Sequence, residues 1–401
     1  DHRDLFAALG RGAAAESGKK VAVIGAGPAG LTAAYYLRKK GGHKVTLFEA
    51  LPKAGGMLRY GIPDYRLPQD ALDKEIENLL ISGIELKTNT KAPAPKDLLA
   101  QGYHAVFVAV GAHEGMKLDV PGEDGPNVED CTAFLRRVNS GEKIDFSGKK
   151  VAVVGGGNSA VDAARVSWRL GAESVTMLYR RTRSEMPAWG EELIEAEKEG
   201  IGFEYLTVPT KIDRAGGKLK VTSIRFSLGP ADDSGRPKPV AIPGSDFTTD
   251  YDYLIVAIGQ RPGTKEMGLE LGRGDVVKAA KTNLATSMAG VFAGGDAVSG
   301  PASVIEAIAH GRQAASAIDI YLGGSGDISE KLAEKFEKFP EIPAQSADWA
   351  RTEIREIPPR DRVRNFTQVE MGFTLEEAVR EAGRCLRCDL ELEAEKMGSA
   401  K

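Results

Sequence analysis

Cysteine is scarce in this chain, at three residues in 401. So few exclude a secreted disulfide scaffold and fit a reducing, cytoplasmic setting. Histidine is nearly as rare. His43, His104, His113 and His310 are scattered without ligand spacing, so no metal site is expected from them. Neither sign of charge dominates. A net charge of −4 offers no basic field to nucleic acid or to an acidic membrane surface. Long apolar runs are missing too. The longest uncharged stretch, Val21 to Leu37, falls short of the ~20 residues that span a bilayer. Gly25, Gly27, Pro28 and Gly30 interrupt it, so no membrane span is expected. Residues 1–20 carry no apolar core of the signal-peptide kind.

What abounds is glycine: 47 residues, above the ~7% of average usage. The glycines concentrate where short apolar runs end. Lys20–Ile24 reads as a buried strand, Gly25 to Gly30 as a turn, the following alanine- and leucine-rich segment as a helix, and Val45–Glu49 as the next strand. This β-α-β unit implies a parallel sheet. The same grammar returns 130 residues later (Gly25 to Gly155). Val151–Val154 is a strand, Asn158–Leu170 a helix and Ser174–Tyr179 a strand. That interval suits two domains rather than a solenoid. Ala105–Val110 and Tyr253–Ile258 are expected to close the two sheets. Residues 212–250 read as an antiparallel meander. From Ile328 onward the composition turns to charged helix and proline-rich linker, with Pro340, Pro343, Pro358 and Pro359, long enough to wrap the body or a partner.

Gly25-Ala26-Gly27-Pro28-Ala29-Gly30 has the spacing of a dinucleotide turn. Gly25 allows the tight bend, Gly27 the approach of a pyrophosphate, and Gly30 close helix–strand packing. The helix start supplies free N–H groups to phosphate. Glu49, at the end of the next strand, is placed to bind both ribose hydroxyls of an adenosine. The second turn is Gly155, Gly156, Gly157, Asn158, Ser159 and Ala160. At the offset that separates Gly25 from Glu49 it has Tyr179, followed by Arg180, Arg181 and Arg183. A carboxylate repels a 2′-phosphate and arginines clamp it. The first site therefore suits FAD and the second NAD(P)H, with NADPH favoured over NADH. The bland alternative for the arginines is a solvated face or pairing with Glu185 and Glu191. Val291 to Asp296 is an apolar strand ending in Gly295-Asp296, suited to a ribityl hydroxyl and the second phosphate. The helix after it, Ser303–Ile318, is expected to aim its N-terminus, through Ser303 and Val304, at the flavin's pyrimidine edge.

Taken together, these residues resemble the glutamate synthase small-subunit-like flavoproteins of the two-dinucleotide-binding-domain superfamily. The matching positions are Gly25 to Gly30, Glu49, the run Gly55 to Pro63, Gly155 to Ala160, Tyr179-Arg180-Arg181, Leu254 to Pro262 and Gly295-Asp296, across roughly residues 18–325. The resemblance implies an α/β fold of two Rossmann-like domains, three-layered, with parallel central sheets and antiparallel meanders. The NAD(P)H domain (131–285) would be inserted in a discontinuous FAD domain (19–130 and 286–327), between an N-terminal arm (1–18) and a docking tail (328–401). It places Gly56, Met57, Leu58, Arg66 and Gly111 along the flavin, and Gly259 with NAD(P)H. It implies an electron-input subunit that exchanges hydride between nicotinamide and FAD. Electrons would pass to or from an iron–sulfur or metal-containing oxidoreductase subunit, in a hetero-oligomer. No protein acid or base is required, since the cofactors carry the chemistry. Two rivals remain: a free-standing NADPH:ferredoxin reductase, and a non-catalytic flavin-containing scaffold.

Cysteine placement narrows this further. Neither glycine motif is followed by a Cys pair, which disfavours a disulfide reductase, and Cys131 reads as a small buried hydrophobe. Cys385-Leu386-Arg387-Cys388 follows a stretch (Asn365 to Arg384) that resembles the entry into the family's iron–sulfur domain, yet no further cysteine follows. It is either a degenerate remnant or half a site completed by a partner. His113, two residues past Gly111, is the one histidine expected near the flavin.

Overall fold

Lys20–Ile24 and Lys150–Val154 each show one exposed residue followed by four buried ones. That is the signature of a central parallel strand covered on both faces. In the computed structural model, described for residues 14–80, 82–231, 235–330 and 349–384, each run is the middle of a five-stranded sheet. The first sheet is ordered Val291–Ala293, Ala105–Val108, Lys20–Ile24, Lys44–Phe48, Glu85–Lys87, all parallel. The second is ordered Val128–Asp130, Tyr253–Val256, Lys150–Val154, Ser174–Tyr179, Gly202–Tyr205, again all parallel. The first sheet is discontinuous in sequence, because Val291–Ala293 returns to pair with Ala105–Val108 after the whole second sheet has been built.

Register sets up the site. Ile24 pairs with Phe48, so Gly25 and Glu49 leave the same sheet edge side by side. Val154 pairs with Leu178, which does the same for Gly155 and Tyr179. Helix Pro28–Lys39 packs on helix Val304–Tyr321 through small residues. A Cβ on Gly311 would lie 2.5 Å from the Ala29 carbonyl oxygen.

The antiparallel strands expected near 212–250 are Thr207–Ala215, Lys218–Ala231, Pro237–Ala241 and Phe247–Tyr251. Their Ile212, Leu219, Val221 and Tyr251 cover one face of the second sheet against Ala152, Val154, Leu178, Leu254 and Val256. Among the described residues only the second half has such a meander. The remaining antiparallel pair joins Glu114–Gly115 to Gln260–Arg261, zipping together the two chain crossings between the halves.

The tail after Ile328 does wrap the body where it is described. Val369 N–H donates to the Tyr65 carbonyl at 3.0 Å, and Phe366 packs on the Tyr65 ring. Arg362, fully buried, donates to Glu199 at 2.9 Å and to Glu356 at 3.1 Å, and also pairs with Glu195. Glu199 accepts from Arg165 at 2.8 Å and Arg169 at 2.6 Å, and those two guanidinium groups lie over the Tyr65 ring at 4.9 and 3.9 Å. Tyr65, from the first half, is thus seated in the core of the second. One carboxylate shared by three arginines meets the condition for burying charge, since every member is paired. Burial pushes the Glu199 carboxyl up, but the hydrogen bonds and charges of Arg169 and Arg165 hold it down at about 2.

Candidate functional site

Between the halves lies a cavity of about 750 Å³, lined by both glycine turns. On the first side, helix Pro28–Lys39 starts at Gly27 with no side-chain cap and with proline in its first turn, so its N–H groups are not claimed by a side chain. Gly25 has φ +101°, and a Cβ there would meet the Ala109 carbonyl oxygen at 2.4 Å. Gly56 has φ +54°, and its Cβ would lie 2.7 Å from Gly27 Cα. Two backbones thus approach as closely as glycine permits, forming a cradle that any side chain would fill.

Glu49 lines this cradle at 7% exposure. Its Oε2 accepts from Ala26 N–H at 3.0 Å and its Oε1 from Leu51 N–H at 2.8 Å. The carboxylate is therefore locked by backbone donors, and each oxygen keeps acceptor capacity for a further donor such as a hydroxyl. Met57, Leu58, Gly111, Gly295, Asp296, Ser303 and Val304 line the same cavity. Burial raises the Asp296 carboxyl above its ordinary range. Gly295 N–H donates to His310 Nδ1 at 3.0 Å. Ser303 does cap helix Val304–Tyr321, but in a capping box: Glu306 accepts from the Ser303 N–H at 2.9 Å and from its hydroxyl at 2.8 Å. A carboxylate already sits at the helix start expected to face the flavin.

On the second side, Gly157, Asn158 and Ser159 line the cavity at the start of helix Asn158–Arg169, and Gly259 faces them. Asn158 Oδ1 accepts from Trp189 N–H at 3.0 Å. Tyr179 lies under the turn, where a Cβ on Gly156 would be 2.5 Å from its ring. Its hydroxyl donates to the Glu185 carbonyl at 2.7 Å. Gly30, Gly155 and Ala160 do not line the cavity. They serve packing: a Cβ on Gly30 would strike the Gly25 carbonyl and one on Gly155 the Ala257 carbonyl, and Ala160 is fully buried.

Two expectations change. Arg66 does not accompany the flavin face of the cavity. Its Nη1 donates to both Asp162 oxygens at 2.9 Å, and its Nε lies 3.1 Å from Glu192, so it bridges the halves. Asp162, in the cavity wall, is pushed up to about 6 by burial, which Arg66 only partly offsets. Arg180 and Arg181 are equivalent in sequence but not in the structure. Arg180 is exposed. Arg181 is 2% exposed, with Nε donating to the Pro237 carbonyl at 2.7 Å. Both border a separate recess of about 680 Å³ with Lys238 and Phe226 from the meander. Sequence patterning gave no signal for Lys238 or for Arg136, which also lines the main cavity. Neither lies in a motif, and only chain crossings bring them there.

Cys131 is buried and alone, its thiol donating to the Ser159 carbonyl at 3.1 Å, and burial raises its pKa far above the ordinary thiol range. Cys385 and Cys388 lie outside the described residues. Among the described residues no group of His, Cys, Asp and Glu is arranged to hold a metal ion, and no helix is long and apolar enough to cross a membrane.

Residues 19–311 match the family described as pyridine nucleotide-disulphide oxidoreductase. The chain is 43% identical over 394 residues to the β subunit of the NADP(+)-dependent formate dehydrogenase of Moorella thermoacetica, covering 94% of this chain and 55% of that one. It is 36% identical over 324 residues to the glutamate synthase [NADPH] small chain of Escherichia coli, covering 76% of this chain and 68% of that one. It thus spans little more than half the length of the formate dehydrogenase relative. Its fold is similar to that of Mycobacterium tuberculosis FprA in complex with NADPH, with a TM-score of 0.65 at 20% identity over 76% of this chain and 85% of that one.

Proposed function

The chain belongs to the pyridine nucleotide-disulphide oxidoreductase family, and from that premise we propose that it is an FAD-containing electron-input module, exchanging hydride between NADP(H) and FAD and relaying electrons to or from a partner subunit. One observation carries the reading: both glycine turns open into a single cavity. Two dinucleotides held there would meet at their reactive ends.

The residues fit FAD. Glu49 is a buried carboxylate with acceptor capacity to spare, suited to an unphosphorylated ribose. The Gly27–Gly56 cradle and the uncapped helix start beside it suit a pyrophosphate. Gly25, Gly27, Pro28, Ala29, Glu49, Gly56, Met57, Leu58, Gly111, Gly295, Asp296, Ser303 and Val304 line this FAD site, with Gly30 packing behind the turn, within a domain of residues 19–130 and 286–327. Gly157, Asn158, Ser159 and Gly259 line the NADP(H) site in residues 131–285, and Gly155 and Ala160 pack the turn that presents it. Arg180 is its exposed cation for the 2′-phosphate. When bound, the two cofactors supply hydride transfer and the protein supplies placement and exclusion of water.

The family description names disulphides, but the described residues put no cysteine pair at the cavity. On this reading the acceptor is a group outside the cavity. The relatives' names, a subunit beta and a small chain, support a partner subunit as the acceptor; that this partner is an iron–sulfur or metal-containing oxidoreductase subunit is the finer reading implied by the resemblance in sequence.

Anaerobic titration of the purified chain with NADPH and then NADH, followed by visible absorbance, tests the reading. Bleaching of a bound flavin, at lower NADPH than NADH, is the expected result. A flavin that neither nucleotide bleaches would return the chain to a scaffold role.

A further inference from the structure

The cavity wall holds a cation for which nothing above gives a use. Arg136 belongs to helix Cys131–Asn139, in the second half, yet it faces the first. Its Nη2 donates to the His113 carbonyl at 3.2 Å, and Asn139 of the same helix donates to the Ile62 carbonyl at 3.0 Å. The Arg136 side chain lines the cavity, and its Nε is buried without an acceptor. Its neighbour Arg137 is paired with Glu129 and Glu142, whereas Arg136 has no ion pair among the described residues. A guanidinium cannot shed its charge; Arg136 is half-buried with its Nε out of solvent, so an anion set against it would be held more strongly than in water.

Among the described residues no carboxylate lies within ion-pair distance of Arg136, although Glu49, Asp162 and Asp296 line the same cavity. His113 is kept neutral, lowered to about 4 by burial first and by the Arg136 charge second. The phenol of Tyr60, also from the first half, feels the same charge while burial raises its pKa. An anion bound in the cavity would give Arg136 the close counter-charge it lacks among the described residues. The nicotinamide dinucleotide's phosphates have their own place at the start of helix Asn158–Arg169, whereas both neighbours of Arg136 follow flavin-side turns. The other candidate for a positive pole, the start of helix Val304–Tyr321, already carries the Glu306 carboxylate.

Hydride brings one proton and two electrons, so its transfer from NADPH leaves NADP+ and adds one negative charge to the acceptor ring. We propose that Arg136 is the counter-charge for the flavin in its reduced state, and that it thereby helps set the flavin's midpoint potential. This rests on the FAD assignment above.

The test uses the full chain and the variants Arg136→Gln and Arg136→Lys. FAD content is measured first, then the midpoint potential by dye-coupled reduction, then the dissociation constant for NADP+. The Gln variant is expected to keep its FAD and to disfavour the reduced state about tenfold, a shift of ~30 mV for a two-electron couple. Lys should restore most of it, and NADP+ affinity should change less than twofold. An unchanged potential in Gln protein that retains FAD overturns the proposal, as does lost NADP+ affinity at unchanged potential, which would move Arg136 to the nucleotide's phosphates. Wild-type chain that binds no FAD would overturn the underlying reading instead. Should the Gln variant not fold, wild-type protein still decides. A compensated anion predicts one proton per two electrons near neutrality, a slope of ~30 mV per pH unit. Twice that slope overturns the proposal.

Discussion

The two halves share strand, glycine turn and helix, and differ at the position 24 residues past the first glycine (Gly25 to Glu49, Gly155 to Tyr179). In the first half that position is a buried carboxylate gripped by two backbone N–H groups. In the second it is a tyrosine whose ring supports the turn from below and whose hydroxyl is spent on the Glu185 carbonyl. The surroundings differ in the same sense. The first turn is pressed by the Gly55–Gly56 backbone, with Gly55 N–H donating to the Ala26 carbonyl at 2.8 Å. The second ends at an exposed Arg180 beside an open recess. On the proposed reading, one glycine turn serves a resident cofactor and the other an exchanging one, and the residues after the next strand make the difference.

The most forceful way to break that comparison is Glu49→Ala. Two charge-assisted hydrogen bonds to a ribose, at roughly 1.5–3 kcal/mol each, would be lost, so the variant should purify depleted of flavin. Full occupancy by absorbance would show that the buried carboxylate does not distinguish the first seat. Next is the strap on the second half. Arg362→Ala leaves Glu195 and Glu199 short of a buried partner, a loss of about 3–5 kcal/mol. Amide exchange should quicken across residues 158–205 and stay slow across 20–48. Uniform loosening would mean that the halves are one cooperative unit.

Acid should probe the same contrast a little more gently. Glu199 is held at about 2 in the fold, below its ordinary value near 4.5. Its contribution is present in full above pH ~4.5 and lost as the pH falls toward ~2, on the order of 3 kcal/mol in all. The acid limb of a stability–pH curve should flatten in Glu199→Gln, a variant already less stable at neutrality. An unaltered acid limb would remove Glu199 from the account. The smallest effect separates the adjacent arginines. Arg180→Ala should raise KM for NADPH about 10- to 100-fold, the worth of one charge-assisted bond, with KM for NADH nearly unchanged. Arg181→Ala should instead lower the melting temperature, since its guanidinium is buried against the meander. Equal KM effects on both nucleotides would mean that Arg180 does not read the 2′-phosphate.

Much of this was legible from residue order. Strand Ser174–Tyr179 falls where alternation and glycine punctuation placed it, and helix Val304–Tyr321 begins at its Ser303 cap. Where reading along the chain misled, the side chain concerned was long and charged. Arg66 lies beside the flavin-side run in sequence, yet reaches Asp162, 96 residues on. Arg181, adjacent to Arg180, is buried with its Nε on the Pro237 carbonyl, while Arg180 stays exposed.

Residue order alone determined the two β-α-β units, their glycine turns and the acid-or-tyrosine choice, because turn dihedrals, strand alternation and helix caps are settled within a few residues. Only the tertiary structure decided what the arginines do: Arg66 and Arg362 tie segments together, and Arg136 stands uncompensated in the shared cavity. A guanidinium on a long flexible stem takes its meaning from whichever carboxylate the packing brings near, or fails to bring, and that partner is set by the meeting of surfaces distant in the chain.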